Sequence, residues 1–400
     1  MTDDAHRRPG PAPRAHGPRV MLSCGEASGD LYAGGLVSAL RQLEPGIEVF
    51  GFGGPRMAAA GARLSGDFRG FSVTGLVEAL RVVPRSWRML KHLGDEAARL
   101  RPDVFVAIDF PDFNFRLLPV MKKLGIPVVY YVSPQLWAWR AGRIETLKKH
   151  VGRMLVIFPF ETAMYQKAGV PVEFVGHPMV DLAVPTRDRL DVLGAAGLDS
   201  LRPVVALLPG SRRNELTEIL PTLAEAAVLI SKRMPGVQFL VARAPSLDDG
   251  LFEPLTKLKQ AGLPVAILNE AADDVLAASD VVITASGTAT IQAALHGRPM
   301  VIVYRVAPLT YAIARRFVHV NTYGMVNLVA GKAIVPELIQ HQFTAEAVAA
   351  EVEPLLKDGG RAGEMRQDLA SVRARLGAPG ASARAAAAIL NLAATARPGS

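Results

Sequence analysis

The chain has 400 residues, with 45 Lys and Arg against 37 Asp and Glu, a formal net charge of +8, and half of its residues are hydrophobic. That length exceeds what one hydrophobic core organises and predicts two domains or one large α/β unit; the composition excludes disordered, collagenous and disulfide-built proteins. The single cysteine, Cys24, makes no intramolecular disulfide, and the histidines show no HExxH spacing, so no metal is expected and a reducing cytoplasmic compartment is.

Residues 1–18, with Pro9, Pro11, Pro13 and Pro18, lack the apolar core of a signal peptide and read as a disordered lead-in. No run reaches the roughly 18 apolar residues of a membrane span, so any membrane contact is peripheral. From Val20 onward, short apolar runs alternate with helical patterns, the signature of β-α-β units and parallel sheets. Expected strands are 20–24, 49–52, 104–108, 128–132, 154–158 and 172–175, then 204–208, 237–241, 265–268, 281–284 and 300–304. Leu36, Ala39, Leu40 and Leu43 mark one helical face after the first strand. Prolines 178, 185 and 203 bracket a polar seam, which predicts two doubly wound α/β domains, 19–184 and 185–360. Helices in 361–400 are expected to pack back across them.

The candidate chemistry falls at strand ends. The first strand runs into Gly25-Glu26-Ala27-Ser28-Gly29-Asp30, which has neither phosphate-loop nor GxGxxG spacing. Asp30 or Ser28 as a helix cap is the competing reading, but a cap needs one acceptor and the loop has three. Phe52-Gly53-Gly54-Pro55 reads as a plain turn. Asp109 and Asp112 in Asp109-Phe110-Pro111-Asp112 follow another strand and suit a general base and its orienter, or a base candidate and a helix cap. Further on, Gly210-Ser211-Arg212-Arg213 and Ser286-Gly287-Thr288 each open a helix, where free N–H groups and guanidiniums favour a phosphate. The segment 73–91 interleaves Val73, Leu76, Val77, Leu80 and Trp87 with Arg81, Arg85, Arg88 and Lys91, suiting a lipid interface or a solvated amphipathic helix. Tyr130, Tyr131, Trp137 and Trp139 suit a sugar floor or ordinary packing. Basic residues are spread along the chain without a nucleic-acid-binding pattern, so nucleic acid is not an expected partner.

Taken in order, GEASGD (25–30), GFGGPRM (51–57), IDFPDFN (108–114), YYVSPQLWAWR (130–140), FVGHPMVD (174–181), LLPGSR (207–212), ASGTAT (285–290) and NLVAGKAIVPELIQ (327–340) make the chain resemble the bacterial lipid-A-disaccharide synthases. The resemblance covers about 19–380. It implies the glycosyltransferase-B fold, two Rossmann-like domains facing a cleft, with the acceptor and lipid on the N-terminal domain and the UDP-sugar on the C-terminal one. It implies an inverting hexosyltransferase that joins UDP-2,3-diacylglucosamine to 2,3-diacylglucosamine 1-phosphate (lipid X), giving a β-1,6-linked disaccharide 1-phosphate and UDP, with no metal or other cofactor. The enzyme would sit on the cytoplasmic face of the inner membrane, with a homodimer left open. By this resemblance the base is Asp109, with Glu26 competing. UDP-sugar contacts fall on Gly210, Ser211, Arg212, Ser286, Gly287, Thr288, Gln292 and Asn327. Related enzymes usually carry glutamate where this chain has Gln292, a position that commonly meets the ribose, and an amide retains only one acceptor there. A UDP-sugar epimerase or hydrolase on the same fold is the rival reading; it would lack the lipid-facing stretch.

Overall fold

The computed structural model describes residues 17–69, 76–134, 141–244, 247–269, 271–307, 322–357 and 359–395. Runs such as Val104-Phe-Val-Ala-Ile108 and Val204-Val-Ala-Leu-Leu208 are buried along their whole length, as strands covered by helices on both faces must be. They build two parallel sheets. The first holds β1 (Arg19–Ser23), β2 (Glu48–Gly53), β3 (Arg63–Asp67), β4 (Val104–Ile108), β5 (Val128–Tyr131), β6 (Arg153–Val156) and β7 (Val172–Phe174), in the order β3-β2-β1-β4-β5-β6-β7. The second holds β8 (Val204–Leu208), β9 (Gln238–Arg243), β10 (Val265–Asn269), β11 (Val281–Ala285), β12 (Met300–Tyr304) and β13 (Glu337–Ile339), in the order β10-β9-β8-β11-β12-β13.

Both sheets reverse their direction of winding once, between β1 and β4 and between β8 and β11. At such a reversal the two following helices go to opposite faces, which leaves a crevice beyond the carboxyl ends of the strands, the usual ligand position in open α/β sheets. Ser23 at the end of β1 pairs with Ala107, and Thr284 in β11 pairs with Leu208, so each crevice is framed by two strands in register.

Two strands went unanticipated. β3, Arg-Leu-Ser-Gly-Asp, and the three-residue β13 lie at sheet edges, where one side needs no partner and no continuous apolar run is required. The helix Ala27–Leu43 buries Leu36, Ala39 and Leu40 as its spacing implied, whereas Leu43, at the last turn, is 49% exposed.

The C-terminal helices tie the two sheets together. Gly359–Arg375 packs on the helices Thr288–Leu295 and Met325–Ala330 of the second sheet, and Ala381–Thr395 then packs on Ala27–Leu43 of the first. Asp181 accepts the Gly380 and Ala381 N–H groups at 2.9 and 3.1 Å, capping that last helix, and Arg384 donates to the Val175 carbonyl at 2.8 Å. Among the described residues no helix is long and apolar enough to cross a membrane.

Candidate functional site

At the first crevice the β4 strand ends in Asp109 and Phe110, which both hold left-handed backbone, with φ of 43° and 49°. Two consecutive non-glycine residues in that region cost about 1–3 kcal/mol each and persist only where the surroundings over-determine them. Here the Asp109 carbonyl accepts from the Asn114 side-chain amide and from the Tyr130 hydroxyl, each at 2.8 Å. Asn114 is itself held by the Ser23 hydroxyl at 2.6 Å, which links the loop to the end of β1. Phe110 stacks on Phe113 and Phe52, and a Cβ at Gly25 would fall 2.2 Å from the Phe110 ring, so that glycine is needed for the loops to meet. The Asp109 side chain is half-buried. Burial first, and then the neighbouring Glu26 carboxylate, push it up to about 7, against the pull of the Phe110 N–H and the Arg212 guanidinium.

Of the other acids in these loops, Asp30 is buried and turns away from the crevice. It accepts the N–H groups of Gly54, Arg56 and Met57 at 2.9, 2.9 and 3.1 Å, so it caps the helix Pro55–Ala59 rather than its own helix, whose cap position is Glu26. Asp112 is exposed and pairs with Arg143 at 2.8 Å, so the expected orienting role falls instead to Asn114 and Tyr130. Tyr130 and Tyr131 are buried in the sheet. Trp137 and Trp139 lie outside the described residues.

At the second crevice Gly210 takes φ of 118°, and its missing side chain admits Glu215, whose Oε2 a Cβ would meet at 2.5 Å. Glu215 accepts the N–H groups of Ser211 and Arg212 at 3.1 and 3.3 Å. Those two N–H groups, expected to meet a phosphate, are therefore spent on the protein's own carboxylate, and the guanidinium of Arg212 is what the loop presents. Across the crevice the Ser286 hydroxyl donates to the Tyr323 carbonyl at 3.0 Å, and Gly287, with φ of 155°, faces open space.

The two crevices face each other. Arg212 reaches from the end of β8 to Glu26 at the end of β1, with 2.7 Å between Nη2 and Oε2, and its other terminal nitrogen lies 3.3 Å from Glu215. Tyr32, in the helix after β1, hydrogen-bonds Thr288 at the start of the helix after β11, and burial pushes its phenol up. One cleft thus carries two carboxylates on one wall and a guanidinium, hydroxyls and a helix start on the other.

A family model described as lipid-A-disaccharide synthetase matches residues 20–391. The chain belongs to that family. Lipid-A-disaccharide synthases of Geobacter metallireducens and Myxococcus xanthus are each 44% identical over 94% of this chain and 97% of their own length. That of Koribacter versatilis is 45% identical over 90% and 93%. Solved structures share the fold at lower identity. The Neisseria meningitidis UDP-GlcNAc 2-epimerase bound to UDP-GlcNAc aligns with a TM-score of 0.67 at 12% identity, over 93% of this chain and 100% of that one. The glycosyltransferase of kitacinnamycin aligns at 0.61 and 20%, over 95% and 100%. The chain is accordingly a hexosyltransferase of lipid A biosynthesis with the glycosyltransferase-B fold, using a UDP-sugar donor and a sugar-phosphate acceptor.

For this synthase, three further expected positions have the following surroundings. Asn327 is buried, and its amide is fully used: it donates to the Val335 carbonyl at 3.0 Å and to Glu337 at 2.7 Å, and it accepts from the N–H groups of Ile334 and Val335 at 2.8 and 3.1 Å. Its place in the synthase motif is explained by holding the turn before β13, with nothing left for a ligand. Gln292 points its Nε2 at Asp273, 3.2 Å away, and His296 lies 2.9 Å from the same oxygen. The lost carboxylate of Gln292 thus has a neighbour, Asp273, which sequence spacing does not reveal. In the helix Leu76–Leu100, Leu90, Leu93 and Ala97 face the core, while Trp87 and Val83 are 57% and 45% exposed. Arg116 covers one face of the Trp87 ring at 5.0 Å, and Arg85, Arg88, Met89 and His92 line a shallow pocket beside it. Val73 lies outside the described residues, as do the side chains of Leu76, Val77 and Leu80.

Proposed function

We propose that the chain joins UDP-2,3-diacylglucosamine to lipid X with inversion, forming the β-1,6 linkage and releasing UDP without a metal. Asp109 accepts the proton of the acceptor 6-hydroxyl as its oxygen bonds to the donor's anomeric carbon, and the bond to the UDP oxygen breaks. The charge that develops on the departing diphosphate is met by Arg212, by the Ser211 hydroxyl and by the N–H groups that open the helix after Ser286-Gly287. The observation that carries this reading is the strained, doubly hydrogen-bonded Asp109 loop, with a carboxyl whose proton affinity is raised to about 7, a value suited to a base at neutral pH. Glu26 is the weaker candidate because Arg212 already holds it at 2.7 Å.

The first sheet and its helices, 19–184, act as the acceptor and lipid domain, and 185–360 as the donor domain, with 361–400 crossing between them. The exposed Val83 and Trp87, set among Arg85, Arg88 and Lys91, suit a peripheral seat on an anionic membrane, apolar groups in the interface and cations at its phosphates. Purified protein incubated with both lipid substrates and EDTA should yield a tetraacyl disaccharide monophosphate by mass spectrometry. Release of UDP with free diacylglucosamine and no disaccharide would turn the reading to a hydrolase.

A further inference from the structure

Arg212 stands between two carboxylates, Glu26 at 2.7 Å and Glu215 at 3.3 Å, so the guanidinium assigned to the diphosphate is already paired with negative charge. The two contacts are not equivalent. Glu215 is mostly buried, at 14% side-chain exposure, and is fixed by two backbone N–H groups; Glu26 is 40% exposed and comes from the opposite wall. Glu26 has no side-chain cap bond to its own helix, so nothing else described on its own wall anchors the carboxylate. A diphosphate entering the cleft must displace one of the two, and the free carboxylate that can turn into solvent is Glu26.

We infer that Glu26 is a stand-in anion: it clasps Arg212 across the empty cleft, and the donor diphosphate takes its place on the guanidinium. Glu26 is then a positioning residue acting through Arg212, and the inference rests on the assignment of the diphosphate to Arg212. The clasp preorganises the arginine fork at the cost of donor affinity, since every donor must first break an ion pair. It also couples donor binding to proton abstraction. When the donor claims Arg212, Glu26 and Asp109 lose the cation they share, and the proton affinity of Asp109 rises as the acceptor hydroxyl is due to give up its proton. The titratable and charged groups facing Asp109 are Glu26 on its own wall, Arg212 across the cleft, and Cys24, Tyr32 and Tyr130 from the end of β1, the helix after it and β5; burial keeps those last three protonated.

The test is calorimetric titration of the full chain with UDP and, separately, with uridine, for the parent, Glu26→Gln, Glu26→Ala and Arg212→Ala. Both Glu26 variants should bind UDP about 3- to 30-fold more tightly, with uridine affinity unmoved because uridine carries no diphosphate. The acid limb of kcat/KM against pH should move to lower pH in Glu26→Gln, since removing a negative neighbour eases ionisation of Asp109; a merely structural role would leave that limb in place. UDP affinity that is unchanged or weaker in both Glu26 variants, while Arg212→Ala still loses UDP, overturns the stand-in. Arg212→Ala with parental UDP affinity overturns instead the placement of the diphosphate beneath it.

Discussion

The two crevices of this synthase share one topology and opposite chemistry. Each lies where its sheet reverses winding, β1 against β4 and β8 against β11, and each is made from the two loops leaving those strands. The first spends backbone strain to present a carboxyl: Asp109 and Phe110 are left-handed, and Asn114 and Tyr130 are committed to holding them so. The second spends its glycine instead, with Gly210 opening room for Glu215 to tie down the loop backbone so that a guanidinium projects. A proton acceptor needs a low-dielectric seat and a fixed direction, whereas an anion receiver needs charge that can change partners. In the roles proposed for them, the half-buried Asp109 and the more exposed Arg212 divide along that line.

The sharpest way to break this comparison is Asp109→Asn. Asn tolerates left-handed backbone as well as Asp does, so the loop should survive while the base is lost. Turnover should fall by about 10²- to 10⁴-fold with UDP affinity near parental. In the parent, kcat/KM should rise with pH toward about 7 and level off, because the ionised form is the active one. Stability should move the other way. A carboxyl whose folded value is raised costs stability as pH climbs from its ordinary range near 4 toward about 7, so at pH 8 Asp109→Asn should be more stable than the parent, by on the order of 1–4 kcal/mol. A variant less stable at pH 8 would mean that the carboxylate is well solvated and that the raised proton affinity is absent.

Next in size is Arg212→Ala, which probes the other wall. Loss of a charge-assisted contact to the diphosphate should cost about 2–3 kcal/mol of UDP binding, on the order of 100-fold, with uridine affinity little changed. If turnover collapses while UDP binding holds, Arg212 belongs with Asp109 on the chemical step and the division of labour between the crevices fails.

How much of this was legible in the sequence follows from what a motif can and cannot encode. Apolar runs placed the buried strands nearly to the residue, because a strand covered on both faces has no freedom to be polar; β4, β8 and β12 match the expected ranges at both ends. The motif loops then fell at strand ends by chain order alone. Hidden from the sequence were the partners that consume each polar group. Asp30 and Glu26 sit four residues apart in one motif, yet one caps a neighbouring helix and the other crosses the cleft. Asn327 looked like a ligand contact for the same reason: its four hydrogen bonds go to residues seven to ten positions on, through a turn whose path no periodicity announces. Asn327→Ala should therefore lower stability by about 2 kcal/mol, leaving buried groups unpaired, while UDP affinity of the folded protein stays parental. Weakened UDP binding at full stability would return it to the site.

The smallest expected effect concerns the outer face of the first sheet. Val83 and Trp87 are one helical turn apart and both face solvent, although the inner face of the same helix, through Leu90 and Leu93, is fully committed to the core. Changing them together to Ser removes apolar surface that the folded chain leaves in water, so the unfolding midpoint should move little. A ring with about half its surface exposed gains on the order of 1–2 kcal/mol on entering an interface, so binding to vesicles containing anionic lipid should weaken about tenfold. Raising salt should weaken the parent further by screening Arg85, Arg88 and Lys91 from lipid phosphate. Unchanged vesicle binding together with a lowered unfolding midpoint would assign the pair to packing through Arg116, whose guanidinium covers Trp87, and would leave the acidic crevice to meet its lipid substrate without help from this face.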